Sequence, residues 1–304
     1  MDKRRRRLIR GIGGALGLAG LGGIALLSPE EEPGIQKRSI ADYAYIAYDH
    51  NPDAEKKLFV IADRHPRKIA TKRGRPVTVI DDLTTRIQVE EYRAIQYLQA
   101  KGEYVHSREA SIMGYVPDQK GARELRTELE QKLGHVFPPN PSDQLLEQVF
   151  STRYRTDYFT AIDLMLMQEP ESFRGIEDRS LLEIHQGCLQ TELDNPSIRE
   201  NDAFLMLKDY ILHARSIAML QNAIGPGRIL DTTGTNCILP VGLSHAATMV
   251  LWMTNGSIHL DGIPPANLPE VNLHFPKTRY GIGVYFPKSI PEADINAVGL
   301  EFRH

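Results

Sequence analysis

The sequence predicts an α/β fold, a central mixed sheet flanked by long helices with a strand-rich C-terminal extension, and three features predict it. Short apolar runs bounded by charge or turn residues, Lys57 to Asp63 and Ile238 to Gly242 foremost, have the length and composition of buried strands. Between them lie long stretches whose apolar residues recur on a helical period. Beyond Met253 the texture changes to short runs, with Ile258, Val271, Leu273, Ile282, Val284, Tyr285 and Phe286 between glycines and prolines. Strands separated by helices give the α/β core, and the tail is expected to add edge strands.

Taken in order, prolines and charges from Ser28 to about Tyr43 mark a tether. The first strand is Lys57 to Asp63, and Val77 to Ile80 is a second. Gln88 to Lys101 carries Val89, Tyr92, Ile95 and Leu98 on one helical face and stops at Gly102. Lys120 to Leu133 is a charged helix ending at Gly134, and a proline-rich linker follows. Ser142 then caps a helix with Leu145, Leu146, Val149 and Phe150 on one face, which is expected to continue through Tyr158 to Met167. Phe173 to Glu177 reads as a strand, Leu181 to Leu193 and Ile198 to Ala223 as helices, and Ile238 to Gly242 as a strand leading into a helix from His245 to Met253. The domain is therefore expected over 57–304, with 31–56 as tether and entry.

Residues 1–30 have a different character. Lys3, Arg4, Arg5, Arg6, Arg7 and Arg10 precede a run from Gly11 to Leu27 without charge or proline. A basic segment followed by an apolar one is the pattern of an export signal or membrane anchor, and the arginines directly before a glycine-rich, mildly hydrophobic run resemble twin-arginine signals. The run sits at the lower length limit for a membrane span, and both a retained anchor and a cleaved signal fit it. Either way the folded domain is expected outside the cytoplasm, with the arginines inside. The net charge of −3 on 304 residues gives the body no electrostatic claim on nucleic acid. Cys188 and Cys237 are too few for a disulfide framework, and their spacing leaves a single bridge open.

Candidate chemistry gathers where strands end. In open α/β sheets, residues just beyond the carboxyl ends of strands face the ligand crevice. Asp63 and His65 stand at such an end and, two apart on an extended chain, converge on one side. Gly242-Leu243-Ser244-His245-Ala246 turns from strand to helix and places a histidine among free backbone N–H groups. Glu177 ends a third strand. On the long helix, Arg215 lies among Leu212 and Met219, and an inward guanidinium needs an anionic partner. His185 and Cys188, three apart on a helix, are read as structural.

In the order strand-Asp-x-His, strand-Glu, helix-Arg-Ser and Gly-x-Ser-His, these places resemble the TraB/TIKI superfamily, which also takes in ChaN-like haem-binding proteins and erythromycin esterases. Its Gly-Glu-x-His motif is matched by Ala62 to His65, its strand glutamate by Glu177, its Arg-Asn pair by Arg215 with Ser216, and its late Gly-x-x-His by Gly242 to His245. Ala62, Asp63 and Ser216 depart from the usual glycine, glutamate and asparagine. The resemblance spans about Lys57 to Met253. It implies a divalent ion held by His65, His245 and Glu177 or Asp63, with manganese, cobalt or zinc suited to such ligands. Asp63 or Glu177 would take a proton from the bound water, and Arg215 would stabilise an oxyanion. The implied function is a membrane-tethered hydrolase of a peptide, amide or small molecule. Two alternatives stay open. One is a non-catalytic relative that binds haem or another ligand. The other is an α/β-hydrolase-type esterase with Ser244 as nucleophile, served by Asp261 with His274 or Asp294 with His304.

Overall fold

The computed structural model describes residues 39–64, 67–70, 76–154, 157–258 and 271–298. A 3-10 turn, Ile40–Asp42, capped by Ser39, leads into β1 (Ala44–His50), and β2 (Lys57–Asp63) follows. β3 (Arg67–Ala70) and β4 (Pro76–Val79) form a separate antiparallel hairpin before α1 (Asp82–Gln99), whose first turn is closed by the Asp81 side chain accepting from Thr84 N–H. β5 (Tyr104–Ile112) is followed by α2 (Gln119–Leu133), which ends on Gly134 at φ 74°, a left-handed stop that glycine adopts without cost. α3 (Asp143–Ser151) is capped by Ser142. Two short strands, β6 (Arg153–Tyr154) and β7 (Asp157–Tyr158), separate it from α4 (Ala161–Gln168). Next come β8 (Phe173–Glu177), α5 (Arg179–Asp194) and α6 (Asp202–Ile224). The chain then forms α7 (Ile229–Thr233), β9 (Asn236–Gly242), α8 (Leu243–Asn255), β10 (Gly281–Pro287) and α9 (Glu292–Ala297).

Six strands make one mixed sheet in the order β1-β10-β2-β9-β5-β8, parallel throughout except that β1 runs antiparallel to β10. The α/β architecture predicted from the sequence is thus the one formed. β2 shows why its sequence reads as one continuous apolar run. Leu58, Val60 and Ala62 point to a core shared with Ile217 and Leu220 of α6 and Met249 and Trp252 of α8. Phe59 and Ile61 point to the opposite core, with Tyr92 and Ile95 of α1 and Leu146 of α3. A strand buried on both faces has no polar side to show.

Four expectations are corrected. The region expected to be tether reaches into the domain, because β1 pairs with β10. The C-terminal segment contributes an interior strand, β10, fully buried between β1 and β2, while the edge is taken by β1. Helix α3 stops at Thr152, which is extended, and Thr160 starts a new helix with a capping box to Asp163. β5 has no counterpart in the sequence reading, because its polar His106 and Ser107 are buried in the sheet and mask the strand pattern. The leader, 1–30, lies outside the described residues. Among those described, no helix is long and apolar enough to cross a membrane.

β5 carries an irregularity that matters for the site. Opposite β8 its register passes from Arg108↔Gly175 to Ile112↔Glu177, so extra residues bulge out around Glu109. The bulge presses its backbone onto Gly175, where an added Cβ would lie 1.9 Å from the Ile112 carbonyl oxygen. Gly175→Ala is therefore expected to lower stability by about 3 kcal/mol or to push the bulge away. Urea melts showing a wild-type midpoint would contradict this close approach.

Candidate active site

The carboxyl ends of β2, β9, β5 and β8 lie side by side, with Asp63 opposite Gly242 and Ile112 opposite Glu177. Over this edge one buried polar cluster forms, and helix α6 is its organiser. Arg215, only 2% exposed, aims its guanidinium at fully buried Glu177. Nε lies 3.2 Å from Glu177 Oε2, and Nη2 bonds the other carboxylate oxygen, a bidentate pair. The same Nη2 lies 3.5 Å from Glu109 Oε1. An inward arginine on the apolar face of α6 thus finds two carboxylates, as its surroundings in the sequence required.

Glu109 is the residue the sequence reading missed. Period two along β5 puts it on the same side as Val105, which belongs to the α6/α8 core. Its Oε2 accepts the Gly242 N–H at 2.8 Å, and its Oε1 faces His245 Nε2 at 3.3 Å. The run Tyr104 to Ile112 places four polar residues in succession, His106 to Glu109, so no alternation marks it as a strand. His106 in that run is fully buried, and burial pulls its imidazole down to about 3.

His245 is held from both sides. Its Nδ1 lies 2.7 Å from Ser216 Oγ, and that hydroxyl also donates to Leu212 O one helical turn back, at 2.7 Å. A hydroxyl has one proton. With that proton on Leu212 O, Nδ1 carries the hydrogen and donates to Ser216, which leaves Nε2 as the acceptor opposite Glu109. This tautomer is assigned from the partners. Although Ser216, His245 and Glu109 are linked like a nucleophile, base and acid, Ser216 is fully buried within α6, so it orients His245 rather than reaching a substrate.

Helix α8 begins immediately after Gly242, which has no side chain to cap its first turn. Its leading N–H groups, those of Leu243 and Ser244, have no partner within the helix. His185, on the inward stripe of α5 with Leu181 and Cys188, lies close enough to the cluster to be charge-coupled to it. Burial first, then Arg215 and His245, pull its imidazole down to about 4. His213 Nδ1 bonds Thr248 of α8 at 2.9 Å, and burial lowers its pKa as well.

These histidines make stability pH-dependent. His106 and His185 have folded pKa values below the ordinary 6.5, so over the interval between them the unfolded chain binds the extra protons. Their contribution is complete above about pH 6.5 and is lost as the pH falls toward 4. Urea midpoints should drop between pH 7 and pH 5, and equal midpoints would contradict the burial of both rings.

The remaining predicted residues fall as follows. Asp63 is buried at the end of β2, but its carboxylate accepts from Gln88 of α1, on the opposite side of the sheet from Arg215. Gln88 also bonds Glu91 at 3.2 Å and accepts from Ala161 N–H, so Asp63 joins a buried network under α1 and α4. His65 lies outside the described residues, as do Asp261 and His304. Asp294 is 3.7 Å from Arg64, and His274 sits by Ser257 beyond the far end of α8. Cys188 and Cys237 are both buried and unpaired. Cys237 Sγ lies 3.3 Å from Ser107 Oγ.

Of the expected metal ligands, His65 is outside the described residues, and Glu177 and His245 are engaged by protein atoms. Both Glu177 oxygens are taken by Arg215, both His245 nitrogens face protein atoms, and the cation between Glu109 and Glu177 is a guanidinium. Among the described residues no three His, Cys, Asp or Glu side chains are grouped to hold an ion. No protein-family model matches the chain, and no curated protein or solved structure compared with it does either.

Proposed function

We propose that the chain is a hydrolase of carbonyl esters or amides, worked by Glu109 and His245 at the carboxyl edge of the sheet. The observation that carries this reading is the 3.3 Å approach of Glu109 Oε1 to His245 Nε2, beside the start of α8, whose N-cap is a glycine. Glu109 is the member of the cluster with most access to solvent, its side chain 18% exposed. A water at this mouth gives a proton to the Glu109–His245 pair as its oxygen attacks the substrate carbonyl carbon. Charge that develops on the carbonyl oxygen meets the N–H groups of Leu243 and Ser244 and the positive end of the α8 dipole. On collapse the C–O or C–N bond breaks, and the stored proton passes to the departing alcohol or amine.

Arg215 and Glu177 have a supporting role in this scheme. Their bidentate pair fixes the guanidinium, which in turn lies 3.5 Å from Glu109 and orients it. The basic, glycine-rich leader supports placing this chemistry outside the cytoplasm, on a membrane tether or after export. The test uses the full chain against chromogenic esters and anilides, before and after chelation. Turnover that survives chelation is expected. Turnover restored only by manganese, cobalt or zinc would overturn the assignment to protein side chains, and no turnover of any substrate would overturn the hydrolase.

A further inference from the structure

The carboxyl edge of the sheet gathers three features besides the polar cluster. The first is the entry of the chain. β1 runs antiparallel to β10 with Ala44 opposite Pro287, so the chain enters the domain at this edge, just after Ser39. The basic and apolar leader precedes that point in the sequence.

The second feature is charge. Between Asp63, at the end of β2, and Asp81, the cap of α1, the sequence carries Arg64, Arg67, Lys68, Lys72, Arg73 and Arg75 and no acidic residue, in a chain whose net charge is −3. The hairpin of β3 and β4 belongs to this stretch, with Arg67 opposite Val79 and Lys68 opposite Thr78. Its two ends are drawn together at the carboxyl edge, where Arg64 lies 3.6 Å from Asp81. Exposed Lys288, just beyond β10, adds a cation 5.8 Å from the ring centre of Tyr45.

The third feature is apolar exposure. Tyr45 and Ile46 at the start of β1, and Tyr115 and Val116 in the turn after β5, are each at least half exposed. That turn is held at the edge by Met113 N–H, which donates to Glu177 O at 2.9 Å. β1 and β5 stand four strand spacings apart, roughly 19 Å. Along this distance the edge presents an apolar pair with a lysine, a basic hairpin, the mouth at Glu109, and a second apolar pair. Aromatic side chains beside cations suit a membrane interface, where rings settle among headgroups and cations meet lipid phosphates. A nucleic acid would engage the cations and leave both apolar pairs in water.

We infer that the carboxyl edge docks on an anionic lipid surface, with the mouth at Glu109 turned toward it. Charge complementarity selects anionic headgroups, and a chain that enters at this edge is tethered from this edge. Docking goes beyond hydrolysis and does not require it; from the membrane-directed reading of the leader it takes only proximity to a bilayer.

The experiment labels the full chain with an environment-sensitive nitrobenzoxadiazole at Val116→Cys or, at the opposite edge, at Glu55→Cys in the exposed loop between β1 and β2. Cys188 and Cys237 are buried, and wild type treated in the same way gives the background. Vesicles are phosphatidylcholine alone or with a third of phosphatidylglycerol, and co-sedimentation is read alongside. On phosphatidylglycerol vesicles the Val116 label should brighten and shift to the blue, the Glu55 label should not, and molar salt should reverse the response. On phosphatidylcholine the leader should carry the chain down without that response. Arg67→Gln/Lys68→Gln/Lys288→Gln should weaken docking on the order of 100-fold, so that most of the response is lost while sedimentation persists. An equal response at both positions, none on sedimented protein, the same response on phosphatidylcholine alone, or a triple variant that keeps it overturns the docking while the leader reading stands. Failure to sediment with either vesicle overturns both. A Val116 response to duplex DNA and none to vesicles assigns the edge to nucleic acid and overturns the lipid surface.

Discussion

Arg215→Met is expected to destabilise the protein by about 3–5 kcal/mol, because it leaves the Glu177 carboxylate buried with its bidentate partner gone. Glu177 is fully buried, so water cannot take over from the guanidinium. The double variant Arg215→Met/Glu177→Leu removes both charges and should recover most of the loss, since an apolar pair of similar volume is often as stable as a buried ion pair. Urea unfolding of the two variants gives the comparison. If the single variant melts with the wild type, the pair is not the dry contact described. If the double variant is as weak as the single one, the loss is one of packing and not of charge.

Glu109→Gln is expected to leave the fold intact and to lower kcat/KM by about 10²–10⁴, the usual loss when a positioned acid–base group is removed. The amide oxygen still accepts the Gly242 N–H, so the strand end keeps its bond. What the amide cannot do is take a proton from water. His245→Ala should cost as much, with a small stability loss at Ser216. Ser244→Ala should keep activity, because the scheme uses only its backbone N–H. Should Ser244→Ala be inactive and covalently unlabelled by fluorophosphonates while Glu109→Gln remains active, the roles given to Glu109 and Ser244 are both wrong.

The candidate site was legible in part, for identifiable reasons. Arg215 announced itself because a guanidinium on the apolar face of a helix must find an anion. Glu177 and His245 were visible because both mark strand ends, and the structure brings all three into one cluster. Asp63 satisfied the same rule, but the pleat turned its carboxylate to α1. Glu109 gave no comparable signal: it lies inside a strand whose buried polar residues hid the strand itself.

What the sequence determined by itself is local: the apolar runs of β2, β8 and β9, the caps at Ser142 and Gly134, the start of α8, and the need of Arg215 for a partner. These follow from periodicity, capping and desolvation, which act over a few residues. The tertiary structure alone decided the strand order, the placing of β10 inside the sheet, and the meeting of Glu109 with His245. Pairing joins residues far apart in the chain, and a bulge in β5 re-aims a side chain. Neither leaves a periodic trace in either partner's own sequence.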